Sequence, residues 1–272
     1  MLEFIKVIII GIIQGITEWL PISSTGHMIL ANEFIKLNVS DDFMNMFLVV
    51  IQFGSILAVI TLFFHKLNPL SPKKTKEEKK ATFSMWFKVV AAILPLLVVA
   101  AFDDWFEAKF YNAVSVSIAL IVYGIFFIIL ENRKKEPKIN SIEELDYKSA
   151  VLIGLCQMLA VIPGTSRSGS TILGGILVGV SRTVAAEFSF FLAIPVMFGA
   201  SLLKMLEFGL PASGFEWAVL ALGMIVAYVV SVFAIKFLLG YIKKHDFKAF
   251  GHYRIVLGIL VLVYFGIKAF VM

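Results

Sequence analysis

The chain reads as an all-α polytopic membrane protein, and three observations predict it. Of its 272 residues, 60% are hydrophobic and only 16% are charged, with a mean hydropathy of +0.92; a soluble domain is nearer half apolar with about a quarter of its residues charged. The charges collect in a few short stretches between long apolar runs. Those runs are continuous rather than alternating with polar residues, which argues against a β-barrel. The net charge of +5 is explained by basic loops at a membrane face, so no nucleic-acid partner is expected. The single Cys156 excludes an internal disulfide and a cysteine-based metal site and reads as a packing residue. No cleavable leader is expected, because reactive residues follow the first apolar run without a cleavage site.

Taken in order, residues 1–20 form an apolar arm about one bilayer long whose last turns carry Gln14 and Glu18. These are four apart, so a helix places them on one face. Pro21 ends that helix, and Ser23, Ser24 or Thr25 then caps the next. The following arm, 26–36, is too short to cross, since a span needs about twenty residues. A long arm and a short arm around a polar tip predict a re-entrant hairpin, tolerated only where its tip is buried in protein or wet. Three full spans follow at 43–64, 86–102 (kinked at Pro95) and 113–130. A second arm, 149–162, leads to a second polar tip at Pro163 and a short return at 172–180. Three more spans follow at 188–206 (kinked at Pro195), 217–239 and 253–271.

The halves repeat. Gly11 and Gln14, then Pro21 and Ile29-Leu30, match Gly154 and Gln157, then Pro163 and Ile172-Leu173, with one residue dropped between Gln and Pro in the second copy. The expected architecture is one integral membrane domain, 1–272, built as an inverted-topology repeat: about 1–131 and 149–272, each a re-entrant helical hairpin plus three transmembrane helices. A hairpin does not change sides and three crossings do, so the second hairpin enters from the opposite face. Such folds place their site near the midplane, where the repeats meet. Charge supports the arrangement. Loops carrying Lys66, Lys73, Lys74, Lys76, Lys79 and Lys80, then Arg133, Lys134, Lys135, Lys138 and Lys148, then Lys243, Lys244, Lys248 and Arg254, fall on one side. By the positive-inside rule that side is cytoplasmic, and the mouth of the first hairpin faces outward.

The two tips carry the chemistry. The first run, QGITEWLPISSTGH at 14–27, brings Glu18, Gln14, Ser24 and His27 to a chain reversal, and ionisable groups inside a membrane are costly and functional by default. The second, PGTSRSGST at 163–171, sets Arg167 among Gly164, Thr165, Ser166, Ser168 and Thr171. Helix N-termini and glycine-rich nests bind phosphate, and Arg167 is a bidentate phosphate partner. The second tip therefore suits an anionic, phosphorylated ligand and the first suits chemistry on it. Competing readings are close helix packing for Ser170, Thr171, Gly174 and Gly175, an ion pair with Glu18 for Arg167, and backbone satisfaction for Gln14 and Gln157. Glu187 is a minor candidate. His65, His245 and His252 read as solvated loop residues.

These two tips resemble the undecaprenyl-diphosphate phosphatase family of bacteria, the bacitracin-resistance type, and the resemblance extends over essentially the whole chain. It implies a multi-pass cell-membrane hydrolase that converts undecaprenyl diphosphate to undecaprenyl phosphate and phosphate, recycling the lipid carrier of peptidoglycan synthesis and conferring bacitracin resistance. It further implies a divalent cation, magnesium or calcium, and an outward-looking site. Carried over, Ser24 is the candidate nucleophile, with Ser23 and Thr25 as neighbours able to substitute, or else it orients water. His27 activates it or protonates the leaving group, Glu18 binds the cation or acts as base, and Ser166 and Arg167 hold the diphosphate. The family pattern opens with Glu or Gln; this chain has Gln14, so Glu18 and Gln14 are too few ligands for a dedicated cage, and substrate oxygens and water complete the shell. A homodimer is allowed. The rival function is a transporter or flippase for a polyprenyl phosphate, which needs the same anion site but has no use for a serine and a histidine beside a carboxylate.

Overall fold

The structure, a computed structural model, describes residues 1–100, 102–133, 135–209 and 212–271; Lys134 lies outside the described residues. Every named element among them is helical: α1 (Leu2–Thr17), α2 (Ser24–Phe34), α3 (Asp41–Leu62), α4 (Phe64–Leu67), α5 (Lys76–Ala100), α6 (Asp103–Phe110), α7 (Ala113–Asn132), α8 (Tyr147–Met158), α9 (Arg167–Leu177), α10 (Arg182–Phe208), α11 (Gly214–Ile242) and α12 (Lys248–Val271). Six of these, α3, α5, α7, α10, α11 and α12, are long and apolar enough to cross a membrane. The protein is a multi-pass membrane protein.

α1 shows why this sequence makes its first element. Ile5, Ile8, Ile9, Ile12 and Ile16 are exposed along one stripe, while Val7, Ile10, Gly11 and Gln14 are buried on the other, the helical period that separates a lipid face from a packed face. Gly11 sits against Val226 and Gly15 against Val230, so α1 and α11 run in the same direction. After the tip, α2 returns to where α1 began: Lys6 Nζ donates to the Lys36 carbonyl at 2.7 Å and the Asn38 amide donates to Glu3 Oε2 at 2.9 Å. The second hairpin, α8 and α9, is closed at its base by backbone instead, with the Lys138 amide on the Gly179 carbonyl at 2.7 Å and the Ser181 amide on the Ile139 carbonyl at 2.8 Å.

These two bases lie at opposite ends of the bundle. α3 follows the first base and α10 follows the second, and the two helices are antiparallel: Phe43 meets Phe208, Phe53 meets Phe198 and Phe63 meets Phe191. α7 and α12 are also antiparallel, with Phe127 on Phe247, Gly124 on Gly251 and Gly258 on Ser117. Both hairpins therefore run inward from opposite ends until their tips touch. α2 and α9 are each 11 residues long, and one constant offset carries Gln14 to Gln157, Ser23 to Ser166 and both ends of α2 to both ends of α9. No residue is dropped between Gln and the capping serine; the proline itself moves by one position, because the turn after α8 tightens into a 3₁₀ turn at Leu159–Val161.

The helices begin and end differently from the sequence expectations. α5 starts at Lys76, absorbing Lys76, Lys79 and Lys80 that read as loop, because Glu77 and Glu78 favour its N-terminus. α12 starts at Lys248 rather than at Tyr253. Arg254, expected in a basic loop, thus stands inside a helix and is fully buried. Pro95 and Pro195 sit within α5 and α10, which continue through them.

Candidate active site

Each tip turns on a serine held in a conformation that serine avoids. Ser23 has φ 72° and Ser166 has φ 74°, a left-handed backbone costing roughly 1–3 kcal/mol at a residue other than glycine. Both are helix N-caps. Ser23 Oγ accepts from the Gly26 amide at 3.3 Å, and Ser166 Oγ accepts from the Gly169 amide at 3.1 Å. Capping offsets part of the strain by satisfying a free helix amide. Gly164, at φ 97°, has no such freedom to spare: a Cβ there would lie 2.6 Å from the Val116 carbonyl oxygen. The strained backbone aims both helix starts, with their partial positive charge, at the meeting point of the tips.

An ion pair, a buried arginine and the Ser168 hydroxyl join the tips. Arg167 Nη2 donates to Glu18 Oε1 at 3.0 Å, and Gln14 Nε2 donates to Glu18 Oε2 at 2.9 Å. Arg167 Nη1 reaches the Ser189 carbonyl at 3.0 Å, and its guanidinium lies 5.5 Å from the Trp19 ring centre. Glu18 is 7% exposed and Arg167 12%, so the pair is largely desolvated. Breaking such a pair costs more than making it gains. Arg254 fills the other side of the junction. Its Nη1 donates to the Pro21 carbonyl at 3.2 Å, and its Nη2 donates to the Gly164 and Thr165 carbonyls at 2.8 and 2.9 Å. It binds the first tip to the second through backbone, and no carboxylate among the described residues pairs with it. Sequence reasoning missed it by placing Arg254 at the end of a basic loop; the signal available was its position directly beside a long apolar run, 255–265.

The candidate residues divide by what their polar atoms already do. Ser168 donates to the Glu18 carbonyl at 3.1 Å and is buried. Thr165 donates to the Leu159 and Ile162 carbonyls. Thr171 bonds to the Arg167 carbonyl at 2.9 Å and to Ser189 Oγ at 2.6 Å. These three hydroxyls, and Gly164, build the tip and are committed within the protein. Ser24, Thr25, His27, Ser166 and Arg167 remain partly open. Ser24 does not bond to His27. Instead His27 Nδ1 meets the Ser23 carbonyl at 2.7 Å, and Nε2 meets the Tyr253 hydroxyl at 2.7 Å. Glu187 is elsewhere, paired with Lys66 at 2.9 Å. Gln157 is buried and its amide has no hydrogen-bond partner among the described residues, so it does not satisfy loop backbone there.

A cation has few ligands here. Both Glu18 oxygens already accept one hydrogen bond, and no group of three His, Cys, Asp or Glu able to hold a metal occurs among the described residues. The protein's own offer is the remaining lone pairs of Glu18 and the amide oxygen of Gln14. That set fits a cation only when phosphate oxygens and water supply the rest.

The family described as bacitracin resistance protein BacA matches residues 7–260. Among curated proteins, the chain is 61% identical over 268 residues to an undecaprenyl-diphosphatase of Acetivibrio thermocellus, covering 97% of this chain and 98% of that one. It is 60% identical to undecaprenyl-diphosphatase 1 of Clostridioides difficile, covering 97% of each. It is likewise 60% identical to an undecaprenyl-diphosphatase of Enterococcus faecalis, covering 95% and 96%.

Proposed function

The chain belongs to the bacitracin resistance protein BacA family, and from that premise we propose that it is a membrane phosphatase: it hydrolyses undecaprenyl diphosphate to undecaprenyl phosphate and phosphate, recycling the lipid carrier of peptidoglycan synthesis. The observation that carries the reading is the meeting of the two tips. Arg167 and two helix N-termini supply positive charge, while Glu18, Ser24 and His27 stand beside them. Phosphoryl transfer needs mainly positioning and charge neutralisation, and this junction offers both.

The roles follow from which residues remain partly open to a ligand. Ser166 and Arg167 hold the diphosphate; Gly164, Thr165, Ser168 and Thr171 shape the tip that presents them. Ser24, whose hydroxyl has no hydrogen-bond partner among the described residues, is the nucleophile we assign. Its oxygen attacks the terminal phosphorus, the bond to the bridging oxygen breaks, and undecaprenyl phosphate leaves; water then releases phosphate from the serine. His27 takes the serine proton and returns it to the products. A divalent cation, magnesium or calcium, would be held by Glu18 and Gln14 together with the diphosphate, and it would supply charge neutralisation. We place the site in a bacterial cell membrane, in an inverted-topology repeat of two halves, about 1–131 and 149–272. The first hairpin's mouth faces outward and the basic loops are cytoplasmic, the side expected from positive charge. A homodimer has room on faces such as those of Gly199, Gly240 and Gly266, where an added Cβ meets nothing within 4 Å.

The test is phosphate release from undecaprenyl diphosphate by purified protein in detergent, with and without chelator, comparing wild type with Ser24→Ala, His27→Ala and Arg167→Ala. We expect cation-dependent release, lost in all three folded variants. Activity surviving in Ser24→Ala alone would remove Ser24 as nucleophile. The opposed hairpins also suit a polyprenyl-phosphate carrier; folded wild type with no release, yet moving the lipid across liposomes, would favour that reading.

A further inference from the structure

We propose that Tyr253 is a positioning residue for His27, fixing its tautomer and presenting Nε2 as the nitrogen that exchanges the proton. The inference rests on the phosphatase reading for its kinetic part and on geometry alone for the tautomer. His27 Nδ1 lies 2.7 Å from the Ser23 carbonyl oxygen. A carbonyl only accepts, so Nδ1 must carry a proton. In a neutral imidazole the other nitrogen is then an acceptor, and Nε2 faces the Tyr253 hydroxyl at 2.7 Å. Tyr253 therefore donates to it. The two rings lie nearly parallel, with an interplanar angle of 6° and centroids 5.6 Å apart, so the hydroxyl approaches Nε2 with the ring orientation also fixed.

This arrangement does three things. The Ser23 carbonyl belongs to the strained N-cap, so the imidazole is anchored to the turn that carries Ser24. The Tyr253 hydroxyl holds the far nitrogen from a different helix, α12, and prevents the ring from flipping. A hydroxyl both donates and accepts. The single Nε2 lone pair takes one proton at a time, so the Tyr253 hydroxyl swings aside as Nε2 accepts the proton of the attacking hydroxyl. No proton leaves the tyrosine. Tyr253 is 45% exposed, so it can turn without leaving a buried group unpaired. Its neighbour Arg254 points inward to both tips, which sets the rotation and height of α12 and hence the place of the Tyr253 hydroxyl.

The experiment pairs kinetics with nitrogen NMR of the ring-labelled protein, the His27 signals being assigned by their loss in His27→Gln. Tyr253→Phe keeps the ring and removes the hydroxyl. In wild type, His27 should show a protonated Nδ1 and a hydrogen-bonded, unprotonated Nε2 above the pH at which it titrates. In Tyr253→Phe the Nε2 resonance should move to that of a free nitrogen or divide between two tautomers. The same variant should release phosphate with kcat about tenfold lower, the loss of one ordinary hydrogen bond at a reacting nitrogen, and KM unchanged. Thermal unfolding must match wild type. An unchanged His27 spectrum in Tyr253→Phe overturns the proposal, whether or not kcat falls, and so does an altered spectrum with unaltered kcat. If wild type releases no phosphate, the phosphatase reading fails while the spectra still decide the tautomer.

Discussion

Arg254→Met is the perturbation that most directly tests how the two tips are joined. The guanidinium serves three carbonyls, those of Pro21, Gly164 and Thr165, at 2.8–3.2 Å. Methionine fills comparable volume and supplies no donor. A buried carbonyl left unpaired costs about 1–3 kcal/mol, so three carry a penalty of about 3–9 kcal/mol. Against this, removal relieves the desolvation of a buried cation that has no paired carboxylate, a saving of several kcal/mol. The carbonyl loss should prevail, since these oxygens sit at turns fixed by Ser23, Ser166 and Gly164 and cannot reach other donors without moving the tips. We expect thermal unfolding in detergent to fall by about 4–12 °C, the shift for a net loss of about 2–3 kcal/mol in a chain of this size. Phosphate release should fall further than stability does, because tip separation displaces Ser24 from Arg167. Arg254→Lys keeps the charge but not the fork and should be intermediate. A folded Arg254→Met protein with wild-type unfolding temperature and wild-type activity would refute the argument.

The Glu18–Arg167 pair should behave as one unit. Glu18→Gln and Arg167→Met should each destabilise, by about 3–5 kcal/mol where an unpaired buried charge is left, while the double variant should lose less than the sum; additive changes in a thermal-unfolding cycle would show that the 3.0 Å contact carries no coupling. Gly154→Ala and Gly199→Ala test the helix packing as a contrast. A Cβ at Gly154 would lie 2.1 Å from the Ala92 carbonyl oxygen and must push α5 from α8, whereas one at Gly199 meets nothing within 4 Å. The first should lower stability by about 1–3 kcal/mol or more, the second should be neutral or raise it by up to about 1 kcal/mol, and equal effects would mean that the close approach of α5 to α8 is not what holds the second hairpin.

The hairpins, the spans and the polar tips were legible because each depends on local pattern: long apolar runs, a proline after Gln14 and Glu18, a short return, a second run of the same kind. Ser23 as a cap was among the alternatives for the same reason, since capping is a contact three residues long. The pairing of Arg167 with Glu18 was visible as a possibility because a lone arginine in a membrane needs a counter-charge. What the tertiary structure alone decided is which atoms are spent and which are free. Ser168, Thr165 and Thr171 looked like ligand donors and are bound to carbonyls and to Ser189. Ser24 and His27 are three apart and stand at one chain reversal in the sequence, yet the imidazole is held by the Ser23 carbonyl and by Tyr253. Arg254 and Tyr253 read as the edge of a basic loop, since nothing nearby in the chain announces partners 89 to 233 residues away. A sequence fixes the contacts that its own local geometry makes. Hydrogen bonds between tips are set by how the helices stack, and that stacking depends on glycines such as Gly124 and Gly154 meeting backbone from another helix, a fact distributed over both partners of each contact and present in neither alone.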